Sequence, residues 1–123
     1  MNTSTLSTPR APFRVTFDTV TYESAENGEA ERSGFCDSAG YEYTREDFAT
    51  WKDWQDFEPP QLTLREAIHL AGGPFEDSGR WFTTTDATED YATGARTTYS
   101  IHPPHGISAA SYSRLARLLK ANR

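Results

Sequence analysis

Apolar and polar residues alternate from the thirteenth position onward: Phe13, Val15 and Phe17 against Arg14, Thr16 and Asp18. A period of two is the mark of a half-buried strand. Val20 and Tyr22 carry the pattern on with opposite parity, so a β-bulge at Asp18-Thr19 is expected to bring them back to the same face. Asn27-Gly28, a pair suited to a type I′ turn, then predicts a hairpin with Glu23 opposite Arg32 and Val20 opposite Phe35. A second turn over residues 37–40 leads into a short third strand, Tyr41-Glu42-Tyr43.

Beyond Thr44 the period lengthens. Thr44 as N-cap, with Asp47 at the third helical position, predicts a helix through REDFATWKDWQDF that Pro59-Pro60 ends. Phe48, Trp51, Trp54 and Phe57 recur every three residues there. At 3.6 residues per turn such a row winds round the helix, so some of its rings are expected in solvent. The next helix is better defined: Thr63 and Glu66 form a capping box, and Leu64, Ala67, Ile68 and Ala71 make one apolar stripe. Gly72-Gly73-Pro74 stops it, and His69 falls opposite the stripe.

Residues 80–102 read as two strands joined by a long, solvated, Asp-rich loop over 86–95. Trp81 and Phe82 put a ring on each face of the first strand. On the second, Tyr99 and Ile101 share one face while Arg96 and His102 share the other. After Pro103-Pro104, Ser108 is placed to cap a last helix running to Lys120, with Tyr112, Leu115, Ala116 and Leu119 inward and Arg114 and Arg117 outward. The expected fold is a single α+β domain over residues 13–123, behind a flexible lead, 1–12. Its antiparallel sheet combines the N-terminal meander with the late hairpin, and two or three helices pack on one face.

Charge changes the picture more than composition does. The net charge of −6 hides a strong polarity, since all 18 acidic residues lie between Asp18 and Asp90. No acid follows Tyr91, and the bases there are Arg96, Arg114, Arg117, Lys120 and Arg123. An acidic body disfavours direct binding to a nucleic-acid backbone; the basic C-terminal helix is expected to fold back onto the acidic surface, and the alternative is that a protein partner with a basic surface meets it. The one cysteine, Cys36, excludes an intrachain disulfide and a cysteine-based zinc motif, and fits a reducing, cytoplasmic setting. No apolar run reaches signal-peptide or transmembrane length.

Candidate chemistry is sparse. His102 and His105 are spaced for metal ligation, but Pro103-Pro104 forces an extended link that points neighbouring side chains apart. Asp86, Thr88 and Asp90 resemble the start of a calcium loop that fails at Tyr91 and Thr97, where glycine and glutamate are required. Glu76 or Asp77 together with His102 are the only catalytic candidates, and neither a nucleophile elbow nor a phosphate loop occurs. No cofactor is expected. The leading expectation is a non-catalytic protein-binding module using Asp47, Trp51, Asp53, Trp54, Asp56 and Glu58, with Asp86, Glu89, Asp90 and Tyr91 at the loop tip. The alternative is a small enzyme or ligand-binding protein with a cleft near Glu76, Asp77, Trp81, Tyr99 and His102. In size, acidity and lack of catalytic motifs the chain is similar to small anti-restriction and anti-CRISPR proteins of bacterial mobile elements. That likeness implies inhibition by imitating a nucleic-acid surface, and it aligns no motif.

Overall fold

A computed structural model describes residues 12–22 and 30–121; most of the N-terminal lead, the Asn27-Gly28 turn and Arg123 lie outside them. The strands are β1 Arg14–Val20, β2 Arg32–Cys36, β3 Glu42–Thr44, β4 Phe75–Asp77, β5 Phe82–Thr84, β6 Thr88–Asp90 and β7 Ala95–His102. They form one open antiparallel sheet in the order β3-β2-β1-β7-β5-β4, with β6 also paired to β7. Three α-helices occur among the described residues: α1 Trp51–Asp56, α2 Leu64–Ala71 and α3 Ala109–Ala121, with a 3₁₀ turn at Arg45–Asp47. No described helix is long and apolar enough to cross a membrane.

The core follows from strand parity. Phe13, Val15 and Phe17 are buried as their alternation requires, joined by Cys36, Phe82 and Ile101 from neighbouring strands. Leu64, Ala67 and Ala71 of α2 and Leu115 and Leu119 of α3 close over them. These two helices form the layer expected on one face, α2 against β1 and β7 and α3 against β4. The reciprocal Thr63–Glu66 capping box opens α2, and Gly72, at φ 88°, closes it in the left-handed region. His69 is exposed, and Ser108 Oγ accepts from the Ser111 amide to cap α3.

Five local expectations need correction. The bulge at Asp18-Thr19 does not form, because β1 pairs without interruption to β7 from Arg14 to Val20. Val20 therefore stays on the outer face. Phe35 pairs with Thr16 instead of Val20, and Arg32 with Thr19 instead of Glu23, a register four residues away from the expected one. That register lays the Arg32 guanidinium over the Phe17 ring and beside Glu42, with which it forms an ion pair. The helix expected from Thr44 to Phe57 breaks in two. Asp47 accepts from the Thr44 amide at 2.7 Å to close the 3₁₀ turn, and Thr50 accepts from the Asp53 amide at 3.0 Å to start α1 afresh. Phe75–Asp77, in the stretch between the second helix and residues 80–102 where no element is expected, is an edge strand paired to β5. The long loop over 86–95 is also mostly strand: Thr88, Glu89 and Asp90 pair with Thr97, Arg96 and Ala95, leaving a tip of four residues.

Gly34 is the one position where β2 and β3 tolerate no side chain. A Cβ there would lie 1.9 Å from the carbonyl oxygen of Tyr43. Close approach of the two strands brings Tyr43 beside Phe35 on the outer face of the sheet, and that pair is the floor on which α1 is built.

Candidate functional site

Phe35 and Tyr43 alternate with core residues and face away from α2 and α3, so their rings need cover from elsewhere. The segment after β3 supplies it. Trp54 lies 5.8 Å from Phe35 and 5.4 Å from Phe48, and Phe57 lies 5.3 Å from Tyr43 and 4.8 Å from Phe48. Trp54 and Phe57 are stacked at 6.1 Å. Ring pairs of this kind contribute about 0.5–1.5 kcal/mol each beyond area burial, so a six-residue helix that would be marginal alone is anchored by its aromatic side.

Trp51 takes no part in that cluster. It is 57 % exposed, and one face of its indole meets the Arg45 guanidinium at 5.6 Å. Arg45 is itself fixed by donating to the Phe48 carbonyl at 3.0 Å. The result is a tryptophan held from behind and offered to solvent in front. The carboxylates around it have different duties. Asp47 is engaged in the turn and Asp56 pairs with Lys52 at 2.8 Å, whereas Asp53 and Glu58 are exposed without a side-chain partner among the described residues. Of the candidates in this segment, Trp54 is framework, and Trp51, Asp53 and Glu58 are each exposed.

Tip residues Asp86, Glu89, Asp90 and Tyr91 are exposed. Glu89 pairs with Arg96 at 3.4 Å across the β6–β7 hairpin. Asp90 accepts from the Ala92 amide at 3.0 Å, and its carbonyl accepts from Gly94 at 2.8 Å. Strands β1 and β7 separate this tip from β2 and β3, over which α1 sits. The two acidic stretches thus make two separate patches.

Residues of the alternative cleft fall on both faces of the sheet. Tyr99 pairs with Phe17 on the core face, while His102 pairs with Arg14 on the outer face, where the Trp81 ring lies 5.4 Å away. His102 Nε2 is 2.8 Å from Thr16 Oγ1, with no carboxylate of the described residues in hydrogen-bond reach. Burial, and next the charge of Arg14, hold its pKa below the ordinary value. Asp77 is on the core side, where it accepts from the Tyr112 hydroxyl at 2.5 Å and the Gly79 amide at 2.7 Å. Burial and that bond push the Tyr112 phenol well up. Glu76 is exposed on the edge strand, facing outward with Thr83. His105 lines a shallow groove of about 590 Å³ with Arg80, Ile107 and Tyr112. Among the described residues no three His, Cys, Asp or Glu side chains converge as a metal-binding set. Comparison with protein families, curated proteins and solved structures finds no match for this chain.

Sequence reasoning missed the division of labour between Trp51 and Trp54, although a signal for it is present. Thr44-x-x-Asp47 and Thr50-x-x-Asp53 are two successive helix-start patterns. The second restarts the helical phase, so the every-third row is not one continuous row on one helix.

Proposed function

We propose that this chain is a non-catalytic protein-binding module that docks α1 onto a basic surface of another protein. The observation that carries the reading is Trp51. It is a large ring held by Arg45 and idle in the fold, on a segment that also exposes the carboxylates of Asp53 and Glu58. Tryptophan in a pre-organised position is the residue type most enriched at interface hot spots, and neighbouring carboxylates steer a basic partner in. A partner whose basic groove ordinarily holds nucleic acid fits this chemistry, and the module then acts as its inhibitor or modulator by occupying that groove.

The test is affinity capture from a lysate of the source organism with the wild-type chain and with Trp51→Ala and Asp53→Asn. The expected result is a basic protein retained by the wild type, lost with Trp51→Ala, weakened with Asp53→Asn and displaced by added double-stranded DNA. Retention by a folded Trp51→Ala variant removes the reading. Retention in the presence of DNA keeps protein binding and removes nucleic-acid mimicry.

A further inference from the structure

Helices α2 and α3 pack on the core face of the sheet, and the α1 rings sit over β2 and β3. The outer face of β1, β7 and β5 therefore carries no packed helix among the described residues. Strand register lays two rows of three side chains across it. Arg14 pairs with His102, and Trp81, one residue before the Phe82–Ile101 pair, stands against His102. Alongside runs the row Thr16, Ser100 and Thr83, with Ser100 paired to both neighbours.

His102 is held between Thr16 and the Trp81 indole. Arg14 is not held. Its guanidinium makes no ion pair among the described residues, and its Nε is buried from solvent without a hydrogen-bond partner. Asp37, which follows Cys36 on the neighbouring strand, is already taken by the Ala39 and Tyr41 amides and the Tyr43 hydroxyl. Asp18, further along β1, is exposed and does not reach Arg14 as an ion pair. The buried Nε is out of a ligand's reach, but the terminal guanidinium nitrogens, which also have no partner among the described residues, are where an anion can meet Arg14.

We propose that these two rows bind a 5′-phosphorylated nucleoside, with the phosphate on Arg14 and the base against Trp81. Trp81 is 38 % exposed, which leaves ring surface for stacking that is tolerant of base identity. Arg14 and Trp81 are anchored two strand spacings apart, roughly 10 Å, and the length of the arginine side chain brings its charge within the span of one nucleotide. Between them lies His102, and the hydroxyls of Thr16, Ser100 and Thr83 run alongside in the neighbouring row. Ser100 is buried and bonds Thr83 at 2.9 Å, whereas Thr16 and Thr83 are half-buried and keep hydroxyl capacity for a sugar beyond their bonds to His102 and Ser100. The acidic body repels a long phosphate backbone, so a single nucleotide fits better than a strand. The site shares no residue with the Trp51 surface and stands or falls apart from it.

Adenosine monophosphate titrated into the ¹⁵N-labelled full chain tests this through the three tryptophan indole resonances, with Trp81→Phe identifying the relevant one. The Trp81 signal is expected to move saturably with the nucleotide and far less with adenosine at equal concentration. Arg14→Gln should weaken binding at least about tenfold, as loss of a charge-assisted contact does, and Arg14→Lys should recover part of it. No movement in the wild type up to millimolar nucleotide overturns the proposal, as does an equal response to adenosine. Tighter binding of a single-stranded oligonucleotide than of the mononucleotide also overturns it and assigns the face to nucleic acid. Should Arg14→Gln fail to fold, the wild-type comparison of nucleotide with nucleoside decides alone.

Discussion

Two tryptophans three residues apart on one short helix should respond oppositely to truncation. Trp54 is partly buried and touches the rings of Phe35, Phe48 and Phe57. A fully buried Trp→Ala costs about 3–5 kcal/mol; scaled for partial burial, and with three ring pairs of which the stacked one is the best aligned, Trp54→Ala should cost about 2–3 kcal/mol. Trp51 is 57 % exposed, and its one strong contact is Arg45. An exposed cation–π pair contributes about 0.5–1 kcal/mol, so Trp51→Ala should cost less than about 1 kcal/mol. For a chain of 123 residues, an unfolding entropy of about 2.1 cal/mol/K per residue makes each kcal/mol worth about 4 °C. The melting temperature should therefore fall by about 8–12 °C for Trp54→Ala and by less than about 4 °C for Trp51→Ala. Differential scanning calorimetry measures both, and near-ultraviolet circular dichroism checks that tertiary packing around the rings persists. Equal losses, or a larger loss at Trp51, would falsify the assignment of Trp54 to the framework and Trp51 to the surface.

Gly34→Ala should cost about 3 kcal/mol or more in urea denaturation, since its Cβ meets a backbone carbonyl at 1.9 Å and β3 must move; a change under about 1 kcal/mol would contradict the close approach. Burial, reinforced by Glu42 and Asp37, pushes the Cys36 thiol up to about 12. Its reaction with a thiol reagent at neutral pH should therefore follow the opening of the fold, and rapid labelling of the native chain would refute the burial. His102 has a depressed pKa in the fold and titrates near 6.5 when unfolded. The unfolded chain binds the proton first, so this residue's contribution is complete above about pH 6.5 and is lost as pH falls through the lower folded value. Urea melts between about pH 7 and pH 5 should lose part of that slope in His102→Gln, and an unchanged slope would rule the contribution out.

Much of the architecture was legible wherever one face is buried and the period is unbroken. Phe13, Val15 and Phe17 declared β1, Leu64, Ala67 and Ala71 with their capping box declared α2, and Leu115 and Leu119 declared α3. Register was not legible, for a physical reason. A shift of four residues leaves every side chain on its face, so alternation cannot distinguish Phe35 opposite Thr16 from Phe35 opposite Val20. The favourable pairs that the sequence offered, Glu23 with Arg32 and Val20 with Phe35, lost to tertiary contacts of Arg32 with Phe17 and Glu42. Short edge strands such as Phe75–Asp77 carry too few residues to show a period. Within the candidate site, the segment around Trp51 was visible as acidic and aromatic, but which ring is anchored depends on Phe35 and Tyr43, remote in sequence and joined to it only by the sheet. The row Arg14, His102 and Trp81 is assembled from three strands and leaves no trace in any local window.

Trp51 is the proposed contact point for the partner protein. A photo-crosslinking residue, p-benzoylphenylalanine, placed at Trp51 tests it directly, with the same group at Leu118, exposed on α3, as the comparison. Irradiation in cells should join position 51 to a basic protein and leave position 118 without that adduct. Failure to crosslink from position 51, or the same adduct from both positions, would contradict the assignment of Trp51 as the contact.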